Sequence, residues 1–171
     1  MMTTKDFLLA ELDREVGRSR RALEQVPDGK WDWKPHDKSM ACGYLANMVA
    51  TIPSWVAMQV TRNDLDVAPK DGSSSMAMEK NDTSAKLTRA LDKAAGEARE
   101  ALQRTSDDHL KTTWQLKAGG HVVQEAPRFE MIQDTFNHWA HHRGQLTVYL
   151  RLLGAKVPAI YGPSADDKAF K

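Results

Sequence analysis

The sequence predicts an all-α domain: a four-helix bundle with a long crossover loop and a small β-hairpin insert before the last long helix. Four long segments repeat their apolar positions every three or four residues, breakers separate them, and a two-residue period occurs only in one short stretch. The chain has 171 residues, 41% hydrophobic and 27% charged, which suits a single domain over residues 1–171. No internal repeat is visible.

The first helix is expected over Lys5–Gln25, with Leu8, Leu12, Val16 and Leu23 on one face, Thr3 or Thr4 as N-cap and Pro27-Asp28-Gly29 as its stop. Arg18, Arg20 and Arg21 read as a solvated face of this outer helix. Trp31–Ser39 reads as a loop, because the proline in Trp33-Lys34-Pro35 imposes extended backbone before it. A second helix follows over Ala41–Arg62, where Leu45, Met48, Val49, Ile52 and Val56 share a face. Pro53 has no N–H for the Val49 carbonyl and predicts a kink.

Asp64–Asn81 turns polar and small, with Pro69, Asp71-Gly72 and Ser73, Ser74, Ser75, and is expected to be the long mobile crossover. The third helix spans Asp82–Arg104. Its Ala94, Ala98 and Ala101 would let a neighbouring helix approach closely. Within Lys111–Gln124, Trp114 and Leu116 precede Gly119-Gly120 and Val123 follows, a hairpin pattern expected to pair Leu116 with Val123. The fourth helix begins at Pro127, taken as its first position, and runs to Leu153 before Gly154, a length on the order of 40 Å.

Composition excludes several classes of function. Lys plus Arg number 24 and Asp plus Glu 23, so a net charge of +1 argues against duplex nucleic acid or an anionic membrane as partner. Cys42 stands alone and builds neither a disulfide nor a thiolate zinc cage, which suits a reducing cytoplasm. No stretch approaches the ~20 apolar residues that span a bilayer. Met1–Glu11, with Lys5, Asp6 and Glu11, is no signal-peptide core, so a soluble, unprocessed, cytoplasmic chain is expected. There is no Gly-rich phosphate loop, Gly-x-Ser-x-Gly elbow or His-Glu-x-x-His, nor a Cys–His pairing that geometry recommends.

The last helix carries the chemistry. Phe129, Ile132, Phe136, Trp139, Leu146, Leu150 and Leu153 form its apolar stripe, interrupted by Arg143. At about 100° per residue, His138 and His142 lie about 40° apart on one flank with Thr135, Gln145 and Tyr149, while His141 points away. Histidines at i and i+4 can converge on one divalent metal, although such a pair also occurs as ordinary surface or core residues. Two histidines fall short of the three or four protein ligands usual for zinc, so a third donor must come from elsewhere.

The string His138-Trp139-Ala140-His141-His142-Arg143-Gly144-Gln145-Leu146, with Tyr149-Leu150-Arg151, Gly154, Pro158 and Tyr161-Gly162-Pro163-Ser164-Ala165-Asp166, resembles the C-terminal signature of the DinB-like (YfiT-type) metalloenzyme family. The hairpin, the Ser39–Trp55 segment and the helical layout agree, so the likeness covers about residues 5 to 166. It implies a four-helix bundle, commonly a homodimer, in which three histidines hold nickel or zinc near the open end.

His138 and His142 match two of those ligands. The third belongs to a Leu-Ala-x-His pattern followed by proline and tryptophan, which here reads Leu45-Ala46-Asn47-Met48, with Pro53 and Trp55 beyond, so Met48 occupies the ligand position. A thioether is a soft, weak donor that suits Cu(I) better than Zn(II) or Ni(II), and Met48 also reads simply as a gap-filling core residue. A divalent Ni or Zn site is therefore expected to be weakened or absent.

His36, His109, His121 and Cys42 have no spacing that recommends them as replacements, and Asn47 turns away from Met48. Met1, Met2, Met76, Met78 and Met131 assemble no copper cluster in the sequence. Trp33 and Tyr161 have a weak claim to the site, while Trp114 and Trp139 belong to core patterns.

Two readings follow. One is a metal-dependent enzyme of the hydrolase or thiol transferase type, with His138 and His142 at the metal and Arg143 and Tyr149 orienting an anionic group of the substrate. The other is a metal-free, non-catalytic dimeric bundle that binds a small apolar ligand or serves as an interaction module. A homodimer is expected in both, from the resemblance and from the alanine-rich third helix.

Overall fold

Thr3 starts the first helix, α1 (Thr4–Leu23), by a reciprocal cap: its hydroxyl accepts from the Asp6 N–H, and the Asp6 carboxylate accepts from the Thr3 N–H. This computed structural model describes residues 2–70, 72 and 80–168. After α1 come α2 (Cys42–Thr51), α3 (Pro53–Thr61), β1 (Asp64–Asp66), α4 (Ser84–Arg104), α5 (Asp107–Leu110), β2 (Thr113–Ala118), β3 (His121–Pro127) and α6 (Arg128–Leu152). The architecture is mostly helical with a small three-stranded sheet. Asp71, Ser73, Ser74, Ser75, Met76 and Met78 of the predicted crossover, and Met1, lie outside the described residues.

The apolar periodicity builds one core. Leu8, Leu12 and Leu23 of α1, Leu45 and Val49 of α2, Val56 of α3, Leu87 and Leu91 of α4, and Ile132, Trp139 and Leu146 of α6 are buried together. The predicted kink at Pro53 is a break between α2 and α3. Ile52 at the joint keeps helical angles (φ −49°, ψ −35°), so α3 follows α2 with no loop between them. Ala94 and Ala98 are buried against neighbours within the chain, which uses their small size inside the domain. No helix of the described residues is long and apolar enough to cross a membrane.

The sheet departs from expectation in three ways. The first is β1, which lies inside the predicted crossover and runs parallel to β2, with Leu65 opposite Leu116. Three residues are too few to show a period. What fixes them is Asp66, whose carboxylate accepts from the N–H groups of Ala68 (3.0 Å), Gly119 (3.0 Å) and Gly120 (2.7 Å) and ties the strand to the hairpin turn.

The second departure is register. Gly119 and Gly120 form the expected two-residue turn, with φ of 60° and 83°, but an irregularity at Leu116/Lys117 places Leu116 opposite Gln124 and Lys117 opposite Val122. Val123 is therefore not the partner of Leu116. The third is Pro127, which ends β3 and caps α6 from an extended conformation (ψ 143°), leaving Arg128 as the first helical residue. The short α5, capped by the Ser106 hydroxyl, escaped the periodicity argument because it is a single turn.

Candidate functional site

Two anchors set the rotation of α6. At its start the buried Arg128 guanidinium donates to the carbonyls of Gln59 and Arg62 (2.5 Å each), to Asn63 Oδ1 (2.6 Å) and to Thr112 Oγ1 (2.9 Å). Three turns on, the indole N–H of Trp139 donates to the Val49 carbonyl at 2.7 Å and locks α6 against α2. With Trp139 turned inward, its neighbour His138 is placed at the edge of the core, one turn from His142.

The rings of His138 and His142 converge. Their Nε2 atoms are 3.0 Å apart and their planes nearly perpendicular (89°), so the two nitrogens share one hydrogen. Gln145 decides which ring supplies it. Its Oε1 lies 2.9 Å from His142 Nδ1 and has only lone pairs to offer, so Nδ1 carries the proton, Nε2 of His142 accepts, and His138 Nε2–H donates.

The Gln145 amide nitrogen then donates to His141 Nε2 at 3.0 Å, which links the outward-facing His141 to the pair. His142 is buried, whereas His138 is open to solvent on one side and stacked on Trp55, with ring centroids 5.4 Å apart. Desolvation, reinforced by the His142 and His141 rings, holds the His138 imidazole below the usual range and favours its neutral form.

Met48 is half-buried on α2, one residue from the Val49 carbonyl that receives Trp139. It lines a groove of about 1130 Å³ between α2–α3 and α4, together with Tyr44, Trp55 and Met58. Trp55 belongs to both features, as a wall of the groove and the stacking partner of His138.

Arg143 and Tyr149 stand apart from the pair. The Arg143 side chain is buried toward α1, where it forms an ion pair with Glu15, donates to Ser19 Oγ (2.9 Å) and meets the Tyr161 hydroxyl. Tyr161 Oη in turn donates to Glu15 Oε2 at 3.0 Å, and Arg18 holds the other Glu15 oxygen. Tyr149 donates to the Met40 carbonyl at 3.1 Å and packs edge-on against Trp33. Both residues are thus engaged by protein groups.

Glu15 and Ser19 are buried polar residues that apolar periodicity alone does not identify. The spacing Leu8, Leu12, Glu15, Ser19, Leu23 places them on the apolar stripe of α1, which was the available signal.

The remaining candidates are dispersed. His36 Nδ1 accepts from the Lys38 N–H, His109 Nε2 lies 2.8 Å from the Val60 carbonyl, and His121 is exposed beside the hairpin turn. Cys42 is buried, and that burial pushes its thiol up, away from the reactive thiolate. The Asn47 amide donates to the Gly43 carbonyl (3.1 Å) and accepts from Asn81 (2.8 Å).

Among the described residues no group of three His, Cys, Asp or Glu is placed to hold a metal ion. The donors on offer are two imidazole nitrogens and, at the third position that the sequence likeness marks, a thioether. This set does not fit a three-nitrogen zinc or nickel centre.

Fold and site define a mostly helical domain with a small mixed sheet and a histidine pair at the edge of its core. The chain belongs to the DinB family, whose model matches residues 1–169. The chain is 36% identical over 64 residues to the uncharacterised protein YrdA of Bacillus subtilis, a match spanning 35% of this chain and 38% of that relative's length. Its fold is similar to two solved structures. One is a DinB-like protein of Bacillus cereus, with TM-score 0.67, 22% identity and coverage of 90% of this chain and 95% of that one. The other is the DinB-like protein YjoA of Bacillus subtilis, with TM-score 0.66, 15% identity and coverage of 87% and 93%.

Proposed function

We propose that this DinB-family protein is a ligand-binding four-helix bundle whose histidine corner works without a tightly held metal. Its four columns are α1, the bent α2–α3 pair, α4 and α6. The observation that carries the proposal is the donor set: His138 and His142 satisfy one another through a shared hydrogen, and Met48 supplies sulfur where a third nitrogen would be needed. His138 of the pair stacks on Trp55, which also lines a groove large enough for a small molecule. In this reading the protein is cytoplasmic and pairs with a second copy of itself, which sedimentation at micromolar concentration tests.

The experiment is a zinc and nickel titration of the purified chain beside Met48→His. A catalytic metal needs three protein ligands, and losing even a partner of a ligand costs about 10- to 100-fold in affinity. The substitution is therefore expected to tighten binding by on the order of a hundredfold. The unaltered protein is expected to purify with less than roughly a tenth of an equivalent of metal. Stoichiometric metal in the unaltered protein, with no gain from Met48→His, would overturn the proposal.

One observation favours a second reading, a metal-dependent hydrolase or thiol transferase. The two Nε2 atoms do converge, and Gln145 holds His142 in the tautomer that leaves Nε2 free to ligate. The same titration decides between the two.

A further inference from the structure

We infer that the groove between α2–α3 and α4 binds a small amphipathic anion: a flat apolar body carrying one carboxylate, sulfonate or phosphate head. This rests on the ligand-binding reading above and adds to it the class of ligand. The two walls differ in chemistry. From α2–α3, Tyr44, Trp55 and Met58 face the groove at helical spacing, two flat rings and a flexible thioether suited to an aromatic or alkyl body. From α4, Lys86, Arg89 and Lys93 face it at i, i+3 and i+7.

The charge is local. The whole chain carries only +1, yet among the described residues the groove is lined by Arg62, Lys80, Lys86, Arg89 and Lys93 against a single carboxylate, Glu97. Two of these cations are already engaged. Lys86 is paired with Asp82 at 2.7 Å, and the Lys80 ammonium lies 5.5 Å from the Trp31 ring centroid. Arg89 and Lys93 form no ion pair among the described residues. They are neighbours on α4 and line the same groove as Trp55, with Glu97 one turn further on.

An anion seated there gains charge-assisted hydrogen bonds while its body covers Trp55 and Met58. Neither wall alone offers both. A neutral ligand would leave the cations unanswered, and a second cation would be repelled.

Three probes with the same body read this directly by calorimetry and tryptophan fluorescence: naphthalene sulfonate, naphthalene methanol and naphthylmethyl ammonium. The sulfonate is expected to bind on the order of tenfold tighter than the alcohol, with the ammonium weakest. Arg89→Glu combined with Lys93→Glu is expected to remove the sulfonate's advantage over the alcohol, both measured on that variant. Both positions are exposed, so folding is retained, and Arg89→Gln with Lys93→Gln repeats the test without adding negative charge.

Equal affinity for the three probes overturns the inference but leaves a ligand-binding groove. Sulfonate binding that is indifferent to both double variants also overturns it. Capture by phosphatidylglycerol vesicles without sulfonate binding overturns it in favour of a membrane surface. Failure of every probe removes the ligand-binding reading as well.

Discussion

His142 and Arg143 are adjacent in sequence, yet α6 sends them to two corners that could hardly differ more. On one side, two imidazole rings share a hydrogen at the edge of the core, with His138 open to solvent. On the other, a guanidinium and a carboxylate, each almost fully buried, are sealed beneath the Tyr161 hydroxyl. In the first corner His138 Nδ1 has no hydrogen-bond partner among the described residues. In the second nearly every polar atom is satisfied internally, with Arg143 Nε the exception. A helix can thus carry a candidate functional pair and a structural lock one residue apart, and burial with partners tells them apart where residue type does not.

The sharpest way to break this comparison is to remove one charge from the sealed corner. Glu15→Ala leaves Arg143 buried and unpaired and is expected to cost about 3–5 kcal/mol in chemical denaturation. A loss within the ~1 kcal/mol typical of surface ion pairs would contradict its structural role. Gly43→Ala should come next, because an added Cβ would lie 2.0 Å from the Trp31 ring; about 1–3 kcal/mol is expected from such overpacking.

At the open corner, His138→Ala removes an exposed ring and is expected to change stability by no more than about 0.5 kcal/mol. A thermal melt as damaged as that of Glu15→Ala would erase the distinction between the corners.

The smallest effect belongs to pH. Three backbone N–H groups hold the Asp66 carboxyl below its usual value, so the stability it contributes is present above the ordinary carboxylate range. That contribution is lost as pH falls through the lowered folded-state value. The protection of the Gly119 and Gly120 amides relative to their intrinsic exchange rates should therefore fall on acidification, and Asp66→Asn should show the lower protection already at neutral pH.

The helices were legible because each buries a stripe over several turns, and the convergence of His138 and His142 followed from four residues of helical rotation. The role of Arg143 was not legible. Its partners Glu15 and Tyr161 come from the first helix and the C-terminal segment, and no local pattern announces a contact between distant stretches. The partner of Tyr149 is equally hidden, since its hydroxyl donates to a loop carbonyl at Met40, far away in sequence. The strand at Asp64–Asp66 depends on three backbone hydrogen bonds to one carboxylate, and the displaced Val123 on a local irregularity; neither leaves a periodic trace.

Nitrogen-15 spectra of the histidine rings, with chelator and then with one equivalent of zinc, test the histidine corner most directly. A self-satisfied pair predicts a proton on Nδ1 of His142 and on Nε2 of His138, with both signals unmoved by the added metal. Joint movement of the two Nε2 resonances to metal-bound positions at one equivalent would contradict it.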